Sequence, residues 1–257
     1  MSDFPSDAYN DPNTGDDEAN MAEVVLPVIV LAAGAGRRMK KGPAGGKLAI
    51  NVEGNTVLGW TMRLLASQSS HNHLRLRVIV VLSPGSSLID HVDASAASLS
   101  QHENCSFEYI VAPQASRGMA WSLHAGIHAA LPRHGGCPPG VFIVPADDPI
   151  AVLALNDVAK QVQYDPTQSV IVERDPVGTP HPVWIPMEAA HRFVPPEKGP
   201  GADRGLRGLL HNPASVLTTA PAPIDVDRPD DVAKLATLID QLGYGHKRQR
   251  IKFDSAD

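Results

Sequence analysis

The chain is expected to fold as a doubly wound α/β sandwich, a mostly parallel sheet with helices on both faces. Three runs are apolar at nearly every position, as strands buried on both faces of a parallel sheet must be: Val24 to Leu31, Arg77 to Leu82 and Val141 to Val144. Stretches with helical periodicity lie between them, and such alternation implies right-handed crossovers. The 21 Gly and 23 Pro among 257 residues suit a fold with many turns better than a helical bundle.

In chain order, Val24 to Leu31 is the first strand, although it contains Pro27. Val57, Leu58, Thr61, Leu64 and Leu65 then recur at helical spacing and predict a helix. Arg77 to Leu82 is the second clear strand, and Phe107 to Val111 is a weaker candidate. Met119, Leu123, Ile127, Ala130 and Leu131 mark another helix, and Val141 to Val144 the next strand. Ser169 to Val172 is a second weak candidate strand. Val232, Leu235, Leu238, Ile239 and Leu242 form a last amphipathic helix, opened by the acidic stretch Asp227 to Asp231. Ligands of such sheets bind beyond the carboxyl ends of the strands, so the residues just after each strand are where a site is expected.

Charge divides the chain unevenly. The formal net charge is −6, but residues 1–23 carry seven acids and no Lys or Arg, which leaves the remainder at +1. With few large apolar side chains, residues 1–23 cannot offset their ordering entropy and are expected to be a disordered acidic extension. Residues 24–244 are expected to form a single domain and 245–257 a polar tail. A nearly neutral folded part carries no basic stripe, so nucleic acid is not an expected partner. The longest apolar run, Val24 to Ala33, is too short to span a bilayer, and the N-terminus does not resemble a secretory leader. Cys105 and Cys137 fit neither a disulfide framework nor a metal-ligand spacing, so a reducing, cytoplasmic setting is expected.

Three acidic or glycine-rich segments carry candidate chemistry. The first strand runs into Leu31-Ala32-Ala33-Gly34-Ala35-Gly36-Arg37-Arg38-Met39, followed by Lys40, Lys41 and a Gly-rich stretch ending at Lys47. Small residues let backbone N–H groups approach a phosphate chain and the basic residues neutralise it. A flexible strand-to-helix turn is the competing reading. Two familiar loops are excluded: Gly42 to Lys47 is one residue short of the Gly-x4-Gly-Lys-Ser/Thr loop and Leu48 replaces its hydroxyl, while Met39 stands where the dinucleotide fingerprint needs its third glycine. Pro145-Ala146-Asp147-Asp148-Pro149 follows an apolar strand, where a carboxylate can hold a divalent metal or simply make a turn or helix cap. Ile224-Asp225-Val226-Asp227-Arg228-Pro229 reads from its residues as the cap of the last helix, with Pro229 at its first turn.

These segments, in this order, resemble the signature of the MobA-like nucleotidyltransferases, which include sugar-nucleotide and molybdenum-cofactor enzymes. The match rests on Leu-Ala-Ala-Gly-x-Gly followed by Arg38-Met39 and a downstream Lys, on Asp147 with Pro149, and on Asp225-x-Asp227. Further stretches look like the molybdenum cofactor cytidylyltransferase group: Gly118-Met119 with Ser122-Leu123 and Gly126, the Gly178-to-Val183 segment with His181, and Gly201 to Arg207. Ala33 in Leu-Ala-Ala-Gly points the same way, since the guanylyl branch prefers glycine there.

The resemblance implies a Rossmann-like fold of the nucleotide-diphospho-sugar transferase type. It implies nucleotide binding by Leu31, Ala32, Ala33, Gly34, Ala35, Gly36, Arg38, Lys47, Gly118 and Ser122, with Arg38, Lys47 and Asp147 as catalytic residues. Asp147 and Asp227 would hold Mg²⁺, with Asp225 as a helper, and His181 and Arg207 would contact the acceptor. The implied reaction moves CMP from CTP to the terminal phosphate of molybdopterin and releases pyrophosphate, with a receiving molybdoenzyme as partner. The alternatives are guanylyl transfer, transfer to a sugar phosphate or other phosphorylated metabolite, and a non-catalytic carrier of a nucleotide-form cofactor.

Overall fold

The structure, a computed structural model, describes residues 24–34, 43–72, 74–131, 136–173, 180–197, 206, 209–210 and 212–244. The acidic extension 1–23 and the tail 245–257 lie outside the described residues. The described elements are β1 (Val25–Leu31), β2 (Asn51–Val52), β3 (Asn55–Thr56), α1 (Val57–Asn72), β4 (Arg75–Leu82), α2 (Ile89–Ser98), β5 (Cys105–Val111), α3 (Met119–Ala130), β6 (Gly140–Pro145), α4 (Leu155–Tyr164), β7 (Val170–Glu173), β8 (Val183–Pro186), α5 (Met187–His191), β9 (Ala214–Leu217) and α6 (Pro229–Gln241). Short 3₁₀ turns cover Gly46–Ala49, Ala115–Arg117 and Pro149–Ala154.

One seven-stranded sheet runs in the order β5-β4-β1-β6-β8-β7-β9. β1 pairs in parallel with β4, from Val25 opposite Arg75 to Leu31 opposite Val81, and with β6 on its other side, from Val28 opposite Phe142 to Leu31 opposite Pro145. The chain therefore leaves β1 toward one edge of the sheet and later crosses to the other side of it. That reversal opens a crevice beyond the carboxyl end of β1, where this architecture places ligands.

Side-chain alternation along β1 assigns the two faces. Leu26, Val28 and Val30 pack with buried residues of α1, α2, α4 and α6, including Leu64, Val92, Val158 and Ile239. Ile29 packs on the opposite face with Leu123 and Ile127 of α3 and with Met187 and Ala190 of α5. Gly126 lets α3 approach the sheet closely, because a Cβ there would lie 2.6 Å from Ile29 Cγ2. The doubly wound, mostly parallel sheet expected from the sequence is the fold observed.

The short pair β2–β3 and the elements α2, α4, β8, α5 and β9 are not among the expected ones, and two of them shape the sheet most. β8 enters antiparallel between β6 and β7, with Ile143 opposite Val183 and Val170 opposite Trp184. It is only four residues long, but all four are buried, and Trp184 stacks edge-on against Phe142 at 4.9 Å. α4 places Leu155, Val158, Ala159 and Val162 inward at i, i+3, i+4 and i+7, a helical period the sequence does carry. Among the described residues, no helix is long and apolar enough to cross a membrane.

Candidate active site

The carboxyl ends of β1, β4 and β6 surround a cleft of about 520 Å³. Leu31, Ala32 and Gly34 form one wall, the turn at Gly45 to Leu48 another, and the loop Ser83 to Leu88 after β4 a third; Asp147 and Asp227 lie at the base. The wall after β1 is held by the strands on both sides. Ala32 N–H donates to the Val81 carbonyl at 3.0 Å, and Ala146 N–H donates to the Leu31 carbonyl at 3.3 Å. A Cβ at Gly34 would meet no atom of the described residues within 4 Å, and Gly34 is exposed, so among those residues nothing packs over its backbone.

Lys47 is aimed by the glycines before it. Gly45 and Gly46 have φ of +97° and +65°, and Gly46 N–H closes the turn onto the Pro43 carbonyl at 2.8 Å. The following residues Leu48 and Ala49 are buried, which anchors the 3₁₀ turn and leaves the Lys47 side chain to the cleft. Its Nζ sits 2.5 Å from Asp147 Oδ2, 2.6 Å from Asp227 Oδ1 and 3.3 Å from Asp225 Oδ1. One carboxylate oxygen from each of the three aspartates lies within 4.8 Å of the others.

Local structure divides the labour among the acidic residues. In Asp147-Asp148-Pro149 the sequence allows either a cap or a free carboxylate, and the structure uses one residue for each. Asp148 is buried, and its Oδ1 accepts from Ala151 N–H at 3.1 Å to cap the 3₁₀ turn that Pro149 opens. The Asp147 carboxylate is left to face Lys47. Thr61 of α1 supports this corner from below by donating its hydroxyl to the Ala146 carbonyl at 3.0 Å.

The second acidic segment shows the same division. α6 begins at Pro229 with Arg228 as its N-cap, and the Asp231 carboxylate accepts from the N–H groups of Arg228 at 3.0 Å and Asp227 at 3.3 Å. Asp231 thus supplies the capping carboxylate, and the side chain of Asp227 faces the cleft. Val226 between the two acids is fully buried, and Asp227 N–H donates to the Asp225 carbonyl at 2.9 Å. This tight turn directs both flanking carboxylates toward Lys47.

The electrostatics follow from that crowding. Burial on its own lowers the Lys47 pKa, but the charge and hydrogen bond of Asp147, with those of Asp227 and Asp225, outweigh it and hold the ammonium above its ordinary value. Asp225 is pushed up from the usual aspartate value, first by burial and then by the Asp147 charge, with Lys47 acting in the opposite direction. The two cysteines are free. Burial raises the Cys105 thiol to about 12, which leaves it without nucleophilic character near neutrality.

Of the residues singled out in the sequence, Leu31, Ala32, Gly34, Lys47, Asp147 and Asp227 line the cleft together. Ala33 is buried on the α3 side of the sheet. Gly118 precedes α3 with φ of +127°, and Ser122 is buried in the first turn of that helix; neither lines the cleft. His181 precedes β8, whose antiparallel register against β6 carries it toward the end of the sheet that bears Asp147. Ala35, Gly36, Arg38 and Arg207 lie outside the described residues. The loop Ser83-Pro84-Gly85-Ser86-Ser87-Leu88 was not singled out, although its place after the apolar strand Arg77–Leu82 was the available signal.

Comparison with known proteins identifies the family. The MobA-like NTP transferase domain family matches residues 28–216. No curated protein matches the chain. Among solved structures, Rv0371c from Mycobacterium tuberculosis H37Rv is 20% identical, with a TM-score of 0.57, over 83% of this chain and 98% of its own. The inositol-1-phosphate CTP transferase from T. maritima is 15% identical, with a TM-score of 0.60, over 86% of this chain and 98% of its own. A UTP-bound UGPase from Acinetobacter baumannii is 11% identical, with a TM-score of 0.55, over 87% of this chain and all of its own. At these identities the structural likeness concerns the fold. The chain belongs to the MobA-like NTP transferase family and is a nucleotidyltransferase.

Proposed function

We propose that the chain transfers CMP from CTP to the terminal phosphate of molybdopterin, with Mg²⁺ held by Asp147 and Asp227, and releases pyrophosphate. The observation that carries the reading is the convergence of Lys47, Asp147 and Asp227 at the base of a cleft walled by the Leu31–Gly34 backbone. A donor set made only of carboxylate oxygens fits a hard divalent cation. Such an ion supplies charge stabilisation on the phosphoryl group being transferred.

In the reaction an oxygen of the acceptor phosphate forms a bond to the α-phosphorus of the triphosphate. The bond from that phosphorus to the oxygen bridging it to the β-phosphorus breaks, and pyrophosphate leaves. No covalent enzyme intermediate is needed, so positioning and charge neutralisation supply the rate. The exposed backbone at Gly34 gives the phosphates a surface without side chains, and Lys47 and Arg38 carry the charges that hold the β- and γ-phosphates. The loop Ser83 to Leu88 lines the cleft with hydroxyl and backbone groups, which supports assigning it to the nucleoside. Ala33, Gly118 and Ser122 support a cytidylyl donor through the family resemblance, and His181 and Arg207 are assigned to the acceptor on the same ground.

A second reading is CMP transfer to a phosphorylated polyol or sugar, favoured by the fold likeness to the T. maritima inositol-1-phosphate CTP transferase. Both are tested by pyrophosphate release with Mg²⁺, offering CTP, GTP, ATP and UTP in turn with molybdopterin, inositol 1-phosphate, glucose 1-phosphate or no acceptor. Release confined to CTP plus molybdopterin is the expected result. Release with GTP assigns the guanylyl branch, and release with a polyol or sugar phosphate assigns the second reading. Binding of a nucleotide without any release would move the acceptor to another phosphorylated metabolite.

A further inference from the structure

We propose that Lys47 is a resident counter-cation of the Asp147–Asp225–Asp227 cluster, displaced when a divalent metal enters and then captured by the triphosphate, so that metal and nucleotide bind as a coupled pair. The proposal rests on the reading of Asp147 and Asp227 as metal-binding carboxylates and goes beyond it by assigning two successive positions to one side chain.

The geometry makes the two cations exclusive. Lys47 Nζ lies 2.5 Å from Asp147 Oδ2 and 2.6 Å from Asp227 Oδ1. Mg²⁺ binds carboxylate oxygens at about 2.0–2.1 Å, so an ion shared by those two oxygens needs the volume that Nζ now fills. The Lys47 side chain is only 14% exposed where it stands among the carboxylates, and the space next to it is the cleft that it lines. Its backbone is fixed by the buried Leu48 and Ala49, so the freed side chain sweeps the cleft and does not leave it.

Charge then determines where it goes. Lys47 is the one basic side chain among the described residues lining the cleft, and Asp147 and Asp227 are the acidic ones. A metal arriving alone must strand the Lys47 charge away from all three carboxylates. A triphosphate arriving alone meets an ammonium already committed to those carboxylates. A metal–nucleotide pair resolves both conflicts, since the metal replaces the ammonium and the phosphates receive it.

The test titrates Mn²⁺, followed by its electron paramagnetic resonance signal, into the full chain and into Lys47→Met, with and without a non-hydrolysable α,β-methylene CTP. Lys47→Gln serves as a second variant, and circular dichroism checks that each is folded. We expect Lys47→Met to bind Mn²⁺ alone about 10-fold or more tightly than the natural chain, and the gain in Mn²⁺ affinity caused by the nucleotide analogue to shrink by a similar factor. Equal or weaker Mn²⁺ binding by folded Lys47→Met and Lys47→Gln overturns the exchange while leaving the metal assignment standing. Absence of Mn²⁺ binding in every folded form, with and without the analogue, overturns both.

Discussion

The Ile224 N–H donates to Asp148 Oδ1 at 3.0 Å, a bond between residues 76 positions apart in the chain. Two residues further on, Val226 N–H donates to the Asp147 carbonyl, also at 3.0 Å. The segment after β6 and the segment before α6 are thereby fastened to each other, and the carboxylates of Asp147, Asp225 and Asp227 are held at their mutual spacing by backbone rather than by attraction to Lys47. Asp148 contributes no side chain to the cleft and yet determines where the others stand. Replacing it by alanine leaves the N–H groups of Ile224 and Ala151 without their carboxylate. We expect Asp148→Ala to cost about 2–3 kcal/mol in urea unfolding and also to lower turnover. Asp148→Asn, which still offers an acceptor oxygen, should retain more of both. A variant as active and as stable as the natural chain would remove the positioning role.

Asp147 and Asp227 should behave in the opposite way, losing chemistry and keeping the fold. Their side chains are partly exposed and cap no helix. Asp147→Ala and Asp227→Ala are expected to lower the rate of pyrophosphate release by about 100-fold or more, with thermal midpoints within about 4 °C of the natural chain. Asp225 is half exposed and lies farther from Nζ, at 3.3 Å, so Asp225→Asn should cost less turnover than either. Near-normal release from Asp147→Ala would undo the metal assignment.

The contrast between these residues marks what the sequence makes legible. β1, β4 and β6 are buried on both faces, and their unbroken apolar runs declare them. The glycines and Lys47 stand out from local spacing as an anion-binding stretch, whereas Asp147 and Asp227 read locally as turn and cap residues and stand out only through the family resemblance. Which of two adjacent acids caps and which faces the cleft is not local information. It depends on Ile224 meeting Asp148, a contact between distant segments. β8 is obscure for a similar reason: Val183 to Pro186 is short, and its position depends on the space between β6 and β7 and on Trp184 meeting Phe142. The Ser83–Leu88 loop reads as ordinary turn chemistry until the fold sets it across the cleft from Asp147.

His124 and His128 of α3 give a pH dependence independent of the cleft. Their Nε2 atoms are 3.1 Å apart, and His124 also packs against the rings of Trp121 and Phe193. Burial, and then the His128 charge, lower the pKa of His124 below its ordinary value. The unfolded chain therefore binds a proton at a pH where folded His124 does not, and stability contributed by this site is lost as pH falls below about 6.5. Urea unfolding at pH 7.5 and pH 5.5 should show a smaller acid-side loss for His124→Gln than for the natural chain. Identical losses would place the acid sensitivity elsewhere.

Gly45 and Gly46 offer the sharpest separation of backbone strain from packing at the cleft. Both have positive φ, so alanine is strained at either position. At Gly46 a Cβ meets nothing among the described residues within 4 Å, and the cost is that strain, about 1–2 kcal/mol. At Gly45 the same Cβ would lie 2.9 Å from both Ala49 Cβ and Leu88 Cδ2. Relieving those contacts must push the turn that carries Lys47 away from the loop that carries Leu88, opening the cleft on two sides. Gly45→Ala should therefore lose more stability, about 2–4 kcal/mol, and raise KM for the triphosphate well above the Gly46→Ala value. Unfolding midpoints and nucleotide titrations on the two variants decide the matter. If both lose the same stability and bind nucleotide alike, the close approach of Leu88 to Gly45 does not shape the cleft.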